Sequence, residues 1–113
     1  MKKLEKEELI KLAKDKGFIS NFLYNKPFKY SNKEKLRWLF WLNELKLWFQ
    51  ENYNIEIEPY RTAECETGEK YGCQGENWNG ETEEEFDLFN IYGKEYIETF
   101  ELGLQLALET IKK

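Results

Sequence analysis

The sequence predicts an α+β fold: a three-stranded antiparallel sheet packed by a long central helix and a C-terminal helix, with a short helix at the N-terminus. Three observations lead there. Residues 32–53 repeat apolar side chains at helical spacing and follow Ser31 and Glu34, the residue pair of a capping box. Ile55 and Ile57 then alternate with Glu56 and Glu58, the period of a strand with one wet face, and two further strand-like stretches flank Asn79-Gly80. From Thr99 onward the spacing is helical again. Short connections in this order select a sheet covered by helices on one face, and 113 residues suit a single domain, 1–113.

Element by element, residues 3–16 place Leu9, Leu12 and Ala13 on one side of a short helix, and Gly17 follows as a left-handed cap. Residues 18–30 are aromatic and interrupted by Pro27, which predicts an extended connector pinned by Phe18, Phe22, Tyr24 and Phe28. In the long helix, turning about 100° per residue gathers Trp38, Trp41, Leu42, Leu45, Trp48 and Phe49 on one broad stripe, while Leu36, Phe40 and Leu47 fall almost opposite. A helix apolar on two sides needs two coverings. The expectation is that Leu36, Phe40 and Leu47 are buried and, where the N-terminal segment does not cover them, that they form a twofold homodimer contact.

Pro59 limits the first strand to a sheet edge or introduces a bulge. Residues 71–78 form the second strand, Asn79-Gly80 a two-residue hairpin turn, and residues 83–92 the third strand, with Phe86 and Leu88 on one face and Phe89 and Ile91 on the other. Gly93 ends it. Thr99 is the expected N-cap of the last helix, whose apolar face is Phe100, Leu104, Ala107, Leu108 and Ile111. Gly103 inside that helix costs about 1 kcal/mol relative to Ala, which a close backbone contact there would explain.

Charge is unevenly placed. Residues 1–54 carry twelve Lys and Arg against seven Asp and Glu, a net +5; residues 55–87 carry two against eleven, −9; residues 88–113 carry three against four, −1. An acidic middle argues against that segment lying on nucleic-acid phosphates, so direct nucleic-acid binding is not expected, and it favours a charge-guided partner with a basic surface. The longest apolar run, residues 38–42, is far shorter than the roughly 20 residues that cross a bilayer. The start mixes lysines with acids where a signal peptide needs an apolar stretch, so the expected location is the cytoplasm.

No catalytic constellation stands out. The chain has no histidine, and Glu64 and Glu66 beside Cys65 would raise a thiol's pKa rather than lower it. Cys65 and Cys73 read as free thiols in a reducing compartment, and their spacing matches no zinc knuckle. Asn77, Asn79 and Gly80 fail as a calcium loop because Phe86 falls where the bidentate glutamate belongs. No cofactor or metal is expected. Trp38, Trp41 and Trp48 lie on the main face of the long helix, as core residues do. Trp78 differs, standing beside the predicted turn among polar residues, next to Glu81, Glu83, Glu84, Glu85 and Asp87, five acids in seven positions. Such a tryptophan is either an anchor on the sheet face or an exposed contact residue, and in the second case an aromatic beside concentrated charge is the composition of a protein-contact site.

The run Leu36-Arg37-Trp38-Leu39-Phe40-Trp41-Leu42 with Glu44-Leu45 and Trp48, followed by Asn54-Ile55-Glu56-Ile57, resembles small uncharacterised proteins of bacteriophages and mobile elements of gut bacteria. The ending Tyr96-Ile97-Glu98-Thr99-Phe100-Glu101-Leu102-Gly103-Leu104, with Ala107-Leu108 and Ile111, is similar to their common close. The resemblance implies a phage-borne accessory setting within a bacterial host cell and carries no activity with it.

The functional expectation is thus a non-enzymatic binding protein that engages a host protein through Trp78, Glu81, Glu83, Glu84, Glu85 and Asp87. Two alternatives stand beside it. One is a nucleotide- or small-ligand-sequestering protein, which a pocket lined by Trp or Tyr with Arg37 or Arg61 converging on it would favour, and which the absence of any pocket above about 300 Å³ would leave with little support. The other is an enzyme using a carboxylate pair, which requires two acids converging in a cleft.

Overall fold

The structure, a computed structural model, describes residues 3–20, 31–63, 68–79 and 84–111, with side chains at all of these except 31–34, 78, 79 and 84–87. Its elements are α1 (Lys6–Asp15), α2 (Ser31–Tyr53), β1 (Ile55–Arg61), β2 (Tyr71–Asn79), β3 (Glu84–Gly93) and α3 (Tyr96–Thr110). The strands form one antiparallel sheet in the order β1-β2-β3. This is the α+β architecture expected, with α2 and α3 on one face of the sheet.

The described part of the chain before α1 is extended rather than helical. Leu4 N–H donates to Gln105 Oε1 at 2.8 Å, and Lys3 Nζ lies 3.0 Å from Glu101 Oε1. Both partners belong to α3, so docking on that helix holds residues 3–5 out of the helical turn the sequence pattern predicts. At the other end Gly17 adopts φ 102°. That left-handed residue reverses the chain, Phe18 N–H returns to Ala13 O at 3.0 Å, and the Phe18 ring enters the core at 3% exposure. Phe22, Tyr24 and Phe28 lie outside the described residues.

α2 buries Trp38, Trp41, Leu42, Leu45 and Phe49, the stripe read from the sequence, with Trp48 partly buried beside them. Trp38 and Trp41 stack with centroids 4.9 Å apart and planes 5° from parallel. The helix ends at Asn54, whose φ of 54° turns the chain directly into β1; asparagine tolerates this left-handed conformation better than most residues. In β1, Ile55 and Ile57 are buried while Glu56 and Glu58 are exposed. Pro59 sits on an edge strand, where its missing N–H need not interrupt a second ladder.

The hairpin differs from the sequence expectation. Asn79 pairs with Glu84 and Trp78 with Glu85, so Asn79 belongs to β2 and residues 80–83 connect the strands. A two-residue turn at Asn79-Gly80 would instead have paired Trp78 with Glu81. Register is decided by the buried face, where Cys73 opposes Ile91 and Gly75 opposes Phe89, with the Phe89 ring lying against the Gly75 backbone. A register shift follows between Gly75 and Glu76, which pairs with Asp87, so Leu88 is the extra residue of a β-bulge. Leu88 packs against the core together with Phe89 and Ile91, so the predicted partition that put Leu88 on the face opposite to them does not hold, while the side chain of Phe86, paired with Asn77, lies outside the described ones.

Thr99 does not cap α3. The helix starts at Tyr96 with Glu95 as the N-cap residue, and Thr99 donates its N–H and its hydroxyl to Glu95 O from inside the first turn. Thr99 is packed instead against Gly93, at a spot a Cβ on that glycine would overlap. Phe100, Leu104, Ala107, Leu108 and Ile111 are all buried. Gly103 has the close contact its position implied: a Cβ there would overlap Cys73 Sγ, so the missing side chain lets α3 lie directly on β2.

Candidate functional site

Two surfaces are left once the core has been assembled. The first is the sheet face opposite the helices. Because Ile55, Ile57, Cys73 and Gly75 point inward, the alternate residues of each strand form the outer face. Pairing aligns them in rows across the three strands: Tyr60–Gly72–Tyr92, then Glu58–Gln74–Asn90, then Glu56–Glu76–Asp87, with Trp78–Glu85 continuing along the hairpin. No helix of the described residues covers these rows.

The tyrosine end is ordered by polar contacts. Gly72 has no side chain, and the Tyr60 ring lies across its backbone. Tyr60 Oη donates to Asn90 Oδ1 at 2.8 Å, and Asn90 Nδ2 donates to Tyr92 Oη at 3.4 Å. Desolvation and the adjacent Tyr92 hydroxyl hold Tyr60 above the ordinary phenol pKa, so it remains a neutral donor. Tyr92 is 50% exposed. These aromatic rings are preset for contact without being buried in the protein's own core.

The opposite end is acidic. Glu56 and Glu58 are exposed and lie on the row positions nearest α2, where Gln50 Nε2 donates to Glu56 Oε1 at 3.4 Å and Lys46 Nζ lies 3.1 Å from Glu58 Oε1. Gln74 Nε2 donates to Glu76 Oε1 at 3.0 Å. The register thus adds Glu56, Glu58 and Glu76 to the acids of the hairpin, a grouping the linear sequence did not disclose because it joins three separate strands. Of the site residues read from the sequence, Trp78, Glu84, Glu85 and Asp87 have a place in the register but no described side chain, and Glu81 and Glu83 lie outside the described residues. Among the described residues no three Cys, Asp or Glu side chains are arranged to hold a metal ion.

The second surface is the far side of α2. Leu36, Phe40 and Leu47 are 53%, 46% and 53% exposed, and the expectation that they are buried within the chain does not hold. The reason is the position of α1, which Leu4, Lys3 and Lys16 tie to α3, Lys16 through its Nζ to Ile111 O at 3.0 Å. Phe18, edge-on to Trp41 and Trp48, and Ser20, whose hydroxyl donates to Glu44, reach round to the flank of α2. Between Phe18, Ile19 and the exposed stripe lies a groove of about 460 Å³, walled by Trp48 and edged by Glu44 and Glu51. Trp48 lines it but neither Arg37 nor Arg61 does, and its carboxylates repel phosphate.

Cys73 is a free thiol with no exposure, pressed against Gly103. Burial, followed by the charge of Glu58 and opposed in part by Lys46, pushes its pKa up to about 12. Alkylation with iodoacetamide at pH 8 is expected to spare Cys73 in the native protein and modify it in denaturant, with peptide mass mapping reading Cys65 separately. The same shift has a sign for stability. The unfolded thiol ionises near its ordinary 9.0, so the contribution of the neutral buried thiol is complete below pH 9 and is lost as pH rises from there to about 12. Rapid native labelling of Cys73 at pH 8 would contradict this burial.

No protein-family model, curated protein or solved structure matches this chain. Among the described residues, no helix is long and apolar enough to cross a membrane.

Proposed function

We propose that this protein is a non-enzymatic binding protein that engages a basic surface of another protein through the open face of its sheet. The observation that supports this reading is the row Glu56–Glu76–Asp87 on the uncovered face, placed between the tyrosine pair and the acidic hairpin. Carboxylates in neighbouring strands repel one another, and a cationic partner relieves that repulsion while the aromatic residues supply apolar contact. The resemblance to phage and mobile-element proteins suggests the setting: an accessory or counter-defence factor acting on a host protein in the bacterial cytoplasm.

Capture from bacterial lysate with three immobilised baits tests this proposal: the wild type, Glu83→Gln/Glu84→Gln/Glu85→Gln, and Trp78→Ala. A basic partner is expected on the wild-type bait. Long-range attraction governs encounter, so the triple variant should associate about tenfold more slowly and with a flatter salt dependence. Trp78→Ala should dissociate about 30-fold faster, as removal of an anchoring side chain does. No partner at micromolar bait, or a partner held equally by all three, removes the proposal.

A further inference from the structure

We propose that the groove beside α2 is a binding site for a small organic cation, an ammonium ion that carries methyl or other apolar substituents. None of the sheet residues assigned to partner binding lines this groove, so the inference stands apart from the reading above.

The groove has two walls of different origin. One is α2, which contributes Glu44, Leu47, Trp48 and Glu51, positions i, i+3, i+4 and i+7 of a single helix face. The other is Phe18 and Ile19, which the left-handed turn at Gly17 brings back toward α2. The rings of Phe18 and Trp48 meet with centroids 5.7 Å apart and planes inclined at 65°, so they form an aromatic corner rather than a closed stack. Ile19 holds a large apolar side chain in water beside that corner, at 85% exposure. A volume of about 460 Å³ lies within the range of small-molecule sites.

Charge decides which molecule the groove suits. Glu44 and Glu51 stand about 10 Å apart along the helix axis with Trp48 between them, and no Lys or Arg lines the groove. Glu51 also lies in the last turn of α2, which holds no basic residue, so its charge adds to the negative end of the helix dipole instead of offsetting it. That is a destabilising place for an acid, and a bound cation relieves it. The aromatic walls and the two carboxylates attract the same positive charge, whereas an anion is repelled and a neutral molecule gains from the apolar surface alone. Aromatic and aliphatic walls accept few hydrogen bonds, so they fit the N-methyl groups of a substituted ammonium better than the three N–H donors of a primary one.

NMR titration of the whole chain with choline tests the proposal, with a parallel titration of its neutral isostere, in which a tert-butyl group replaces the trimethylammonium. Choline is expected to saturate with a dissociation constant of about 1 mM or lower, moving the Trp48 indole N–H together with the amides of Ile19 and Leu47. The neutral isostere should bind at least about tenfold more weakly, because it lacks only the charge. Glu51→Gln should weaken choline about fivefold and leave the isostere unchanged. Glu98→Gln removes the same charge from an exposed position at the start of α3, outside the groove, and should change neither. Absence of a shift at Trp48 up to about 20 mM choline overturns the proposal. So does equal affinity for the isostere, or a loss from Glu98→Gln as large as that from Glu51→Gln, which would assign the attraction to the overall acidity of the chain.

Discussion

Replacing Trp38 with alanine is expected to lower stability by about 3–5 kcal/mol, the range for truncating a large buried aromatic residue. Trp38 has no exposed surface, stacks face to face on Trp41, and has Lys6 Nζ 5.4 Å from its ring centroid. Its indole N–H donates to Glu101 Oε2 at 2.8 Å. Alanine therefore opens a cavity and strips a buried carboxylate of a donor in one step. Small domains hold about 5–15 kcal/mol in all, so the variant should melt tens of degrees lower or fail to fold at growth temperature. Trp38→Phe removes the donor with a much smaller cavity than alanine leaves, with an expected cost of about 1–3 kcal/mol. Urea titration at constant slope measures both. A loss below about 1.5 kcal/mol for alanine would show that this ring is not packed as described.

Glu101→Ala is the second large effect, about 2–3 kcal/mol, though the side chain removed is polar. Glu101 is 4% exposed and holds the Trp38 N–H with one oxygen and Lys3 with the other. Deleting it strands a buried indole donor, which costs more than the hydrogen bond is worth net. The contact with Lys3, whose side chain is 37% exposed, is screened and contributes little. Glu101→Gln keeps an acceptor oxygen for the indole and should retain more than half of the lost stability. A double-mutant cycle with Trp38→Phe isolates the shared bond: coupling of about 1–2 kcal/mol is expected, and a value near zero would assign the cost of Glu101→Ala to packing alone.

The pair also shows why the N-terminal segment lies where it does. Lys3 and Leu4 reach Glu101 and Gln105, one turn apart on α3, and Lys16 reaches the end of the same helix at Ile111. Those polar contacts commit α1 to α3 and leave the far side of α2 half exposed. Nothing in the local pattern of residues 3–16 indicated this choice, because each partner lies more than ninety positions away in the chain.

What the sequence by itself determined are the features set by neighbours within a turn or two. The buried stripe of α2, the glycine cap at Gly17, the alternation from Ile55 to Glu58 and the apolar face of α3 depend on spacing, and spacing is written in the chain. Gly103 was legible for the same reason: a residue so costly inside a helix implies a contact that forbids anything larger. Only the tertiary structure decided the register of β2 on β3, the bulge at Leu88, the place of Asn79 within a strand, and the row Glu56–Glu76–Asp87. Those depend on pairing between distant residues, which the fit of Phe89 over Gly75 on the buried face settles over the local preference of Asn79-Gly80 for a tight turn.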